Sequence, residues 1–338
     1  MDSLLKRLIE TDGISGYEQR VRALIQKEIS KHVDKTFVDK MGNLVAVKKG
    51  TKKGAGRVML AAHMDEIGLI AKSISPDGRI KFTTIGGIEP LTLIGQRVSI
   101  LAKKPLNGIV TTAEMLDGNY IETLPKLEDM FVDTGLSRKQ LASRGAEIGT
   151  VIELKQDMGM LNDDIFYGKA LDDRIGCYIN MQLAKTVRRI PHEINFVFTV
   201  QEEMGMYGAK TSTYEVNPDW AIAVDVSNTY ESKDMRLLGK GPTILVKDAA
   251  MIANKSLDDT LRGIAKKNRI PIQLDVSDLG TSDAMTISLS RGGVPATVVG
   301  VPIKNLHSTV GAASTKDVKN AIKLLSALLK KPPKICLV

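Results

Sequence analysis

Four segments of the chain are apolar at almost every position, which is typical of strands that are covered on both faces of a sheet. They comprise residues 58–63, 194–200, 220–226 and 295–302. Helical patterns separate them; the clearest repeats apolar side chains every four positions, at Ile175, Ile179, Leu183 and Val187. Because strands alternate with amphipathic helices, the sequence predicts an α/β sandwich built on a parallel sheet.

The two ends of the chain add further amphipathic helices. Apolar residues in the first of these recur with helical spacing, at Leu4, Leu5, Leu8 and Ile9. A second helical pattern covers residues 17–31, and a strand pair that turns at Gly42 and Asn43 follows it. Residues 315–331 carry the closing helical pattern. These patterns predict helices that pack on the sheet through their apolar faces.

Residues 69–159 differ from the rest of the chain in their hydrophobic pattern. Short β-like runs are broken by Pro-Asp-Gly at 76–78 and by a Gly pair at 86–87, and few apolar patterns reach helical length. We therefore expect a small β domain at 69–159, inserted into an α/β domain formed by residues 1–68 and 160–338. The alternative is that these short strands extend the main sheet.

The composition is that of a globular protein, since 43% of the 338 residues are hydrophobic. Two widely separated cysteines, Cys177 and Cys336, do not suggest a disulfide framework and indicate a reducing compartment. No apolar run approaches the roughly 18 residues of a membrane span, and the N-terminal segment lacks the continuous apolar region of a secretory signal. We therefore expect a cytoplasmic protein with no membrane partner.

The net charge of +8 raises the question of a nucleic-acid partner. The densest basic stretch, KKGTKKGAGR at residues 48–57, has the composition of a Gly/Lys turn between two strands. Aromatic residues make up only 4% of the chain, and no nucleic-acid-binding motif accompanies the basic stretch. A solvated loop is the favoured interpretation, and no nucleic-acid partner is expected.

Residues suited to metal binding or acid–base chemistry follow or interrupt the four apolar segments. In chain order they are His63, Glu202, Glu203, Asp225 and His307. Asp65 lies two residues beyond His63 and on the same side of the chain if the strand continues, so it can orient the imidazole. An unpaired buried carboxylate is costly, so Asp225 needs a cation, several hydrogen-bond donors or exposure at the strand end.

Each of these residues also has an ordinary structural explanation. A single histidine is often a hydrogen-bonded core residue, and an adjacent pair of acids is common on a surface. Asp172 and Asp173 precede a helix, where aspartate is a preferred N-cap and favours the helix dipole, although this explains one of them more easily than both. The two remaining histidines, His32 and His192, are expected at the surface.

The joint pattern favours a metal site over these separate explanations. The carboxyl ends of parallel strands meet at one edge of an α/β sheet, which is where ligands bind. Two histidines with several carboxylates form a mixed nitrogen and oxygen ligand set that suits Zn²⁺ or Co²⁺ better than Ca²⁺. A ligand set of this size can hold two ions that share one carboxylate.

Six motifs resemble, in order and spacing, those of the tetrahedral (TET-type) dinuclear metallo-aminopeptidases, relatives of glutamyl and leucyl aminopeptidases. They are AAHMDEIG (61–68), GKALDDRIG (168–176), FTVQEEMGMYGA (198–209), AIAVDVS (221–227), GTSDA (280–284) and GVPIKNLHS (300–308). The resemblance covers essentially the whole chain. It implies a three-layer α/β/α catalytic domain with an inserted small β-barrel that mediates dimerisation.

The resemblance also implies a role for each site residue. Asp172 would bridge two divalent ions, Zn²⁺ or Co²⁺, with the other ligands divided between the two positions. His63 and Asp225 would complete one position, and Glu203 and His307 the other.

The catalytic residues implied by the resemblance are Glu202 and Asp65. Glu202 would be the general acid/base, and Asp65 would orient His63. The peptide bond between Asp172 and Asp173 is typically cis in this family. Short peptides would be the substrates, cut after the first residue, and dimers would assemble into a tetrahedral dodecamer.

Three other functions are compatible with parts of the pattern. A carboxypeptidase or deacylase of the same general fold would use a similar metal site. A glycoside hydrolase would use paired carboxylates without a histidine pair and would survive chelation. A non-enzymatic assembly or nucleic-acid-binding protein would keep the fold without turnover. The side-chain preference of an aminopeptidase and its physiological metal are not readable from these motifs.

Overall fold

The four apolar segments form neighbouring parallel strands at the centre of an 11-stranded sheet. The computed structural model describes residues 2–121, 123–231 and 235–330. Its helices are α1 (Ser3–Glu10), α2 (Gln19–Ile29), α3 (Ala113–Leu116), α4 (Arg138–Ser143), α5 (Leu171–Thr186), α6 (Tyr207–Val216), α7 (Lys255–Asn268), α8 (Asp283–Ser288) and α9 (Thr315–Lys330).

The strands divide between the main sheet and a separate barrel. They are β1 (Lys35–Val38), β2 (Leu44–Lys48), β3 (Arg57–His63), β4 (Gly68–Ile74), β5 (Ile80–Ile85), β6 (Arg97–Ile100), β7 (Leu106–Thr111), β8 (Phe131–Asp133), β9 (Val151–Leu154), β10 (Gly159–Met160), β11 (Ile165–Gly168), β12 (Glu193–Thr199), β13 (Trp220–Asn228), β14 (Thr243–Lys247), β15 (Gln273–Val276), β16 (Ala296–Lys304) and β17 (Gly311–Ser314).

Strand order in the main sheet is β1-β2-β12-β3-β13-β16-β17-β11-β10, with β14 and β15 attached to β16. The four central strands β12, β3, β13 and β16 are parallel, and antiparallel strands flank them on both sides. The predicted turn at Gly42 and Asn43 joins the antiparallel pair β1 and β2. The predicted α/β sheet is therefore confirmed, with antiparallel edges that the apolar segments did not indicate.

The main sheet separates two apolar cores, which makes the domain three-layered. Along β3, Val58, Leu60 and Ala62 pack into the core on the side of α1, α2, α5, α7 and α9. The alternate residues Met59 and Ala61 pack into the core on the side of α6 and α8. Because helices cover both faces, β3 can be apolar at every position. The predicted α/β/α architecture is confirmed.

The middle of the chain forms a six-stranded closed barrel in the order β4-β5-β8-β7-β6-β9, with its own apolar core. Strand β4 closes it by pairing with β9, Leu69 opposite Ile152. The short strands therefore do not extend the main sheet. The barrel strands begin at Gly68 and end at Leu154, while the domain limits at residues 69 and 159 stay a prediction.

A buried ionic network joins the barrel to the α/β domain. The ammonium of Lys169 lies 2.9 Å from both carboxylate oxygens of Glu66 and also pairs with Glu153 on β9. Arg174 donates to the same Glu66 at 3.2 Å, and Lys155 bridges Glu153 and Asp12. Lys169, Glu66, Glu153 and Arg174 are almost fully buried. Three basic side chains and three carboxyl groups therefore meet at the domain junction, and burial together with Asp12 raises the pKa of Glu153 to about 7.

Other sequence expectations have mixed outcomes. Residues 49–56 form the predicted loop between β2 and β3. His192 contradicts its surface assignment, because Trp220 covers it and only 2% of its surface is exposed. Cys177 is buried and free, whereas Cys336 lies outside the described residues. No helix within the described residues combines the length and apolar character needed to cross a bilayer.

Candidate active site

The site opens where two central strands separate. Strand β13 pairs with β3 only as far as Ala223 opposite Ala61, and it then continues with β16 alone. His63 ends β3, and Asp225 lies on β13 just beyond the last paired residue. The two side chains face each other across this opening, with 4.0 Å between His63 Nε2 and Asp225 Oδ1. Sheet splaying thus exposes two otherwise buried polar groups to a common cavity.

Asp172 lies between two groups of potential ligands. Its Oδ1 is 2.9 Å from His63 Nε2, which also faces Asp225. Its Oδ2 is 3.6 Å from His307 Nε2, and that nitrogen is 3.7 Å from Glu203 Oε2. The two oxygens of one carboxylate therefore point to two different histidine–carboxylate pairs.

These separations agree with the spacing of ligands around a metal ion. With metal–ligand bonds of about 2.0–2.2 Å in tetrahedral geometry, neighbouring donor atoms lie about 3.4 Å apart. The donor atoms of His63, Asp172 and Glu203 lie within 4.8 Å of one another, as do those of His63, Asp173 and Asp225. The residues present fit divalent cations in both geometry and donor chemistry.

Asp173 has a different environment from Asp172, although the two are adjacent. The peptide bond between them is cis, as the resemblance implied. Both carboxylate oxygens of Asp173 accept main-chain hydrogen bonds, from His63 N at 3.3 Å and Gly176 N at 2.9 Å. Burial raises the pKa of Asp173 well above its usual range, and Asp225 adds to this effect. Asp173 thus ties the start of α5 to the end of β3.

Asp65 contacts the imidazole and also the segment that carries the two glutamates. His63 Nδ1 lies 3.2 Å from the main-chain oxygen of Asp65 and 3.6 Å from its carboxylate. The carboxylate accepts the main-chain N–H groups of Glu202 and Glu203 at 3.0 and 3.1 Å. Ser15 donates its hydroxyl to the same carboxylate at 2.5 Å. Asp65 therefore fixes His63 and the glutamate segment relative to each other.

Several acidic side chains lie close together in the site and affect one another's pKa values. Burial raises the pKa of Glu202 and of Glu203 well above the usual range, and neighbouring carboxylates add to the effect. Burial together with Asp172 raises the pKa of Asp225 to about 7. Burial alone would lower the pKa of His63, but Asp172 and Asp65 outweigh it and raise that pKa well above its usual range. Added positive charge would relieve this repulsion between carboxylates.

The barrel contributes a wall to the site. A Cβ atom added to Gly87, in the loop after β5, would lie 3.0 Å from His307 Nδ1. A Cβ atom on Gly86 would lie 3.1 Å from Glu203 Oε2, and Gly86 has a φ of +77°. Glu89 donates its main-chain N–H to His307 O at 3.1 Å. Glycine is required here because the loop approaches two candidate ligands closely.

Several residues near the site had no assigned role in the sequence. Asp283, within the GTSDA motif, is buried; one of its oxygens accepts the Thr199 hydroxyl at 2.6 Å and the other has no hydrogen-bond partner. Glu18 accepts the main-chain N–H groups of Gly16 and Gln201. Asp283 meets Thr199 and Glu18 meets Gln201 across large distances in the sequence, so no local pattern points to these two contacts. The structure brings together all the predicted metal and catalytic residues in one cavity or its immediate wall.

The sequence profile of M42 glutamyl aminopeptidases matches residues 42–324. The chain belongs to this family. A putative aminopeptidase of Acetivibrio thermocellus is 40% identical over 329 residues, covering 96% of this chain and 97% of the relative. This M42 chain is accordingly a peptide hydrolase of the aminopeptidase class.

Solved structures agree with the family assignment. The M42 chain matches aminopeptidase APDkam598 from the archaeon Desulfurococcus kamchatkensis with a TM-score of 0.93 and 34% identity, covering 97% of this chain and 94% of that one. It matches the Pyrococcus horikoshii TET1 peptidase with a TM-score of 0.88 and 32% identity, covering 97% and 98%. The latter protein can assemble into a tetrahedron or a large octahedral shell.

Proposed function

We propose that this chain is a metal-dependent aminopeptidase that removes the first residue of short peptides at a centre for two Zn²⁺ or Co²⁺ ions. The observation that carries the proposal is the position of Asp172, whose two carboxylate oxygens face two separate histidine–carboxylate pairs. In the proposal Asp172 would be shared between the two ions. His63 and Asp225 would help to hold one ion, and Glu203 and His307 would help to hold the other.

The charge of the cavity supports the binding of cations. Its lining includes Asp172, Glu202, Glu203 and Asp225, whereas the guanidinium of Arg236, which also lines the cavity, already pairs with Asp275. Two divalent ions would balance four carboxylates. When bound, the ions supply Lewis acidity that polarises the scissile carbonyl and makes a water available as a nucleophile near neutral pH.

Glu202 is the proposed proton carrier. It follows β12, its main-chain N–H donates to Asp65, and its partly buried side chain lines the cavity together with the candidate ligands. In the proposal its carboxylate accepts a proton from the attacking water and then delivers it to the nitrogen of the leaving amine. Burial raises the pKa of Glu202, which brings its proton affinity closer to that needed for both transfers.

Asp65 is the proposed positioning residue. Its main-chain oxygen and carboxylate both lie near His63 Nδ1, which leaves Nε2 directed at Asp172 and Asp225. The same carboxylate holds the main-chain N–H groups of Glu202 and Glu203. Asp65 would therefore hold the proposed ligand His63 and the proposed proton carrier Glu202 in fixed positions relative to each other.

In the proposal, carboxylate oxygens that line the cavity accept hydrogen bonds from the free α-amino group of the substrate. An acylated amine carries no charge and has fewer N–H donors, so it lacks this interaction. This contrast is what distinguishes an aminopeptidase from a carboxypeptidase or a deacylase of similar fold. In the proposal the amine limits cutting to the first peptide bond.

The proposal extends to assembly and location. The barrel is proposed as a dimerisation domain, and dimers as the units of a tetrahedral dodecamer. Support comes from the overall similarity to a peptidase that assembles into a tetrahedron or an octahedral shell. A cytoplasmic location is supported by the two-cysteine composition.

The decisive experiment compares a peptide carrying a free amine with its N-acetylated form, before and after chelation. We expect hydrolysis of the free-amine peptide only, loss of activity with chelator, and recovery on addition of Zn²⁺ or Co²⁺. Equal cleavage of the acetylated peptide would favour a deacylase or carboxypeptidase. Turnover that resists exhaustive chelation would contradict the metal-dependent mechanism.

A further inference from the structure

The cavity extends well beyond the proposed metal centre. It has a volume of about 640 Å³, within the range of sites that enclose a small ligand. Apart from the candidate metal ligands and Glu202, its lining includes three charged side chains: Arg236, Asp248 and Asp275. It also includes the apolar side chains Leu245 and Val298. The cavity therefore offers both apolar and charged groups to the side chain of the first substrate residue.

Two of these three charged side chains, Arg236 and Asp275, neutralise each other. Arg236 forms a buried ion pair with Asp275 on β15 and stacks over the Tyr230 ring, 4.4 Å from its centroid. The side chains of both partners are less than 10% exposed. The guanidinium charge is therefore already matched, and the pair presents little net charge to the cavity.

Asp248 supplies the charge that remains. Only 6% of the surface of Asp248 is exposed, and the residue lies in a tight turn directly after β14. One carboxylate oxygen, Oδ1, accepts the main-chain N–H groups of Ala250 and Met251, both at 2.7 Å. Among the residues that the structure describes, no ion pair joins Asp248 to a basic side chain. The nearby Lys247 instead pairs with Asp278 and donates to the Asp248 main-chain oxygen.

The position of Asp248 is fixed by neighbouring loops. Ala249 donates its main-chain N–H to Gly280 O at 3.1 Å, which joins the Asp248 turn to the loop before α8. Strands β14 and β15 pair in parallel, with Leu245 opposite Asp275. The same pair of strands therefore positions the Asp248 turn, which follows β14, and the Asp275 ion pair, which lies on β15. A carboxylate held this firmly needs little reorganisation when a cation binds.

We propose that Asp248 is a specificity-determining residue that makes the enzyme prefer peptides beginning with lysine or arginine. The aliphatic stem of the basic side chain would lie against Leu245 and Val298, and its cationic end would pair with Asp248. This inference rests on the proposed aminopeptidase function. An acidic first residue would meet Asp248 as a like charge, because Arg236 is committed to Asp275.

The test compares substrates that share a stem but differ in charge. The wild-type enzyme, loaded with Zn²⁺ or Co²⁺, is assayed on lysyl, arginyl, norleucyl, leucyl and glutamyl p-nitroanilides. We expect kcat/KM for lysine to exceed that for norleucine by about 10- to 100-fold, the range for a hydrogen bond to a charged group. Glutamate should be the poorest substrate.

Asp248→Asn isolates the charge, because asparagine retains the oxygen that accepts the two main-chain bonds. We expect the lysine-to-norleucine ratio of kcat/KM to fall about tenfold or more, because only the lysine substrate has a cationic end to pair with Asp248. Asp278→Asn is the matched control: it removes the same charge from an exposed residue outside the cavity, and the ratio should persist.

Each outcome supports or overturns the inference. An unchanged lysine-to-norleucine ratio in Asp248→Asn, or a wild-type preference for glutamate, would overturn it while leaving the aminopeptidase function intact. An equal fall in Asp278→Asn would show that general charge, not Asp248, governs the preference. Failure of wild type to cleave any of these substrates would instead overturn the proposed function and this inference with it.

Discussion

At the scale of single residues, the candidate site depends on side chains and backbone that neighbouring groups hold in position. His63 is held from Nδ1 by Asp65 and faces Asp172 and Asp225 through Nε2. His307 has a φ of +57°, a left-handed conformation that is uncommon outside glycine, and the barrel loop packs against it. Strained conformations of this kind persist where surrounding structure fixes them.

Glu202→Gln tests the proton carrier. Glutamine has nearly the same shape but cannot accept and return a proton, so we expect kcat to fall by about 10²- to 10⁴-fold. Metal content should match that of the wild type, because the ligands are untouched. Steady-state kinetics with elemental analysis of the same sample measures both, and near-normal kcat in a fully loaded variant would reject the role.

His63→Ala tests ligation. Removing the imidazole deletes a ligand and leaves Asp172 and Asp225 facing an empty volume, so we expect loss of bound metal after dialysis, together with loss of activity. His32→Ala, which removes a partly exposed histidine outside the cavity, is the control. Full metal occupancy of His63→Ala by elemental analysis would show that His63 is not a ligand.

At the scale of elements, the site is made by strand ends and helix starts whose positions the core determines. The apolar runs identified four strands, and the parallel arrangement of those strands predicted that His63, Asp225 and His307 would approach one another. The hydrophobic pattern of the strands therefore indicated that these three side chains lie at the same edge of the sheet.

Other features of the site depend on contacts that leave no periodic signature. Asp248 and Asp275 meet because β14 and β15 attach to β16 beyond the four apolar strands. Ser15 reaches Asp65 from a loop near the N-terminus. The surface assignment of His192 was wrong because this residue, although it follows Pro191 outside any strand, is buried beside the Trp220 ring, 6.3 Å away between centroids. Such pairings follow from tertiary packing and not from local propensity.

Asp258, in the first turn of α7, provides a test of electrostatics at the element scale. Burial raises its pKa to about 6, although Thr297 donates a hydroxyl to it at 2.7 Å. A folded-state pKa above the unfolded value means that stability falls as pH rises between about 4 and 6. The ionised carboxylate then costs roughly 3 kcal/mol at neutral pH.

We therefore expect Asp258→Asn to stabilise the protein at pH 8 and to have little effect near pH 4. Asparagine retains an acceptor for Thr297 and carries no charge to bury. Thermal unfolding from pH 4 to pH 8 measures the difference, and Asp259→Asn, at an exposed neighbour, is the control. A difference independent of pH would contradict the raised pKa.

At the scale of the whole molecule, two bodies with separate apolar cores meet through a charged junction. Lys169 lies between Glu66 of the α/β domain and Glu153 of the barrel, and all three are buried. Breaking a buried ion pair by removing one partner is costly because the other charge stays without compensation.

Lys169→Met leaves two buried carboxylates facing each other across the junction. We expect a loss of about 3–5 kcal/mol in the free energy of unfolding, measured by urea denaturation with chelator present so that metal binding does not contribute. Adding Glu153→Gln should restore part of the loss, because it removes one of the two carboxylates that Lys169 no longer balances. Additive destabilisation in the double variant would show that the two residues act independently.

The glycine pair after β5 has a bearing on how the two bodies can be handled experimentally. Because Gly86 and Gly87 lie close to Glu203 and His307, the insert completes a wall of the cavity. An α/β domain engineered without its barrel would therefore keep its fold-determining strands yet lose the surface that seats one histidine. Removing the barrel to make a smaller enzyme would therefore remove part of the cavity that contains the candidate active site.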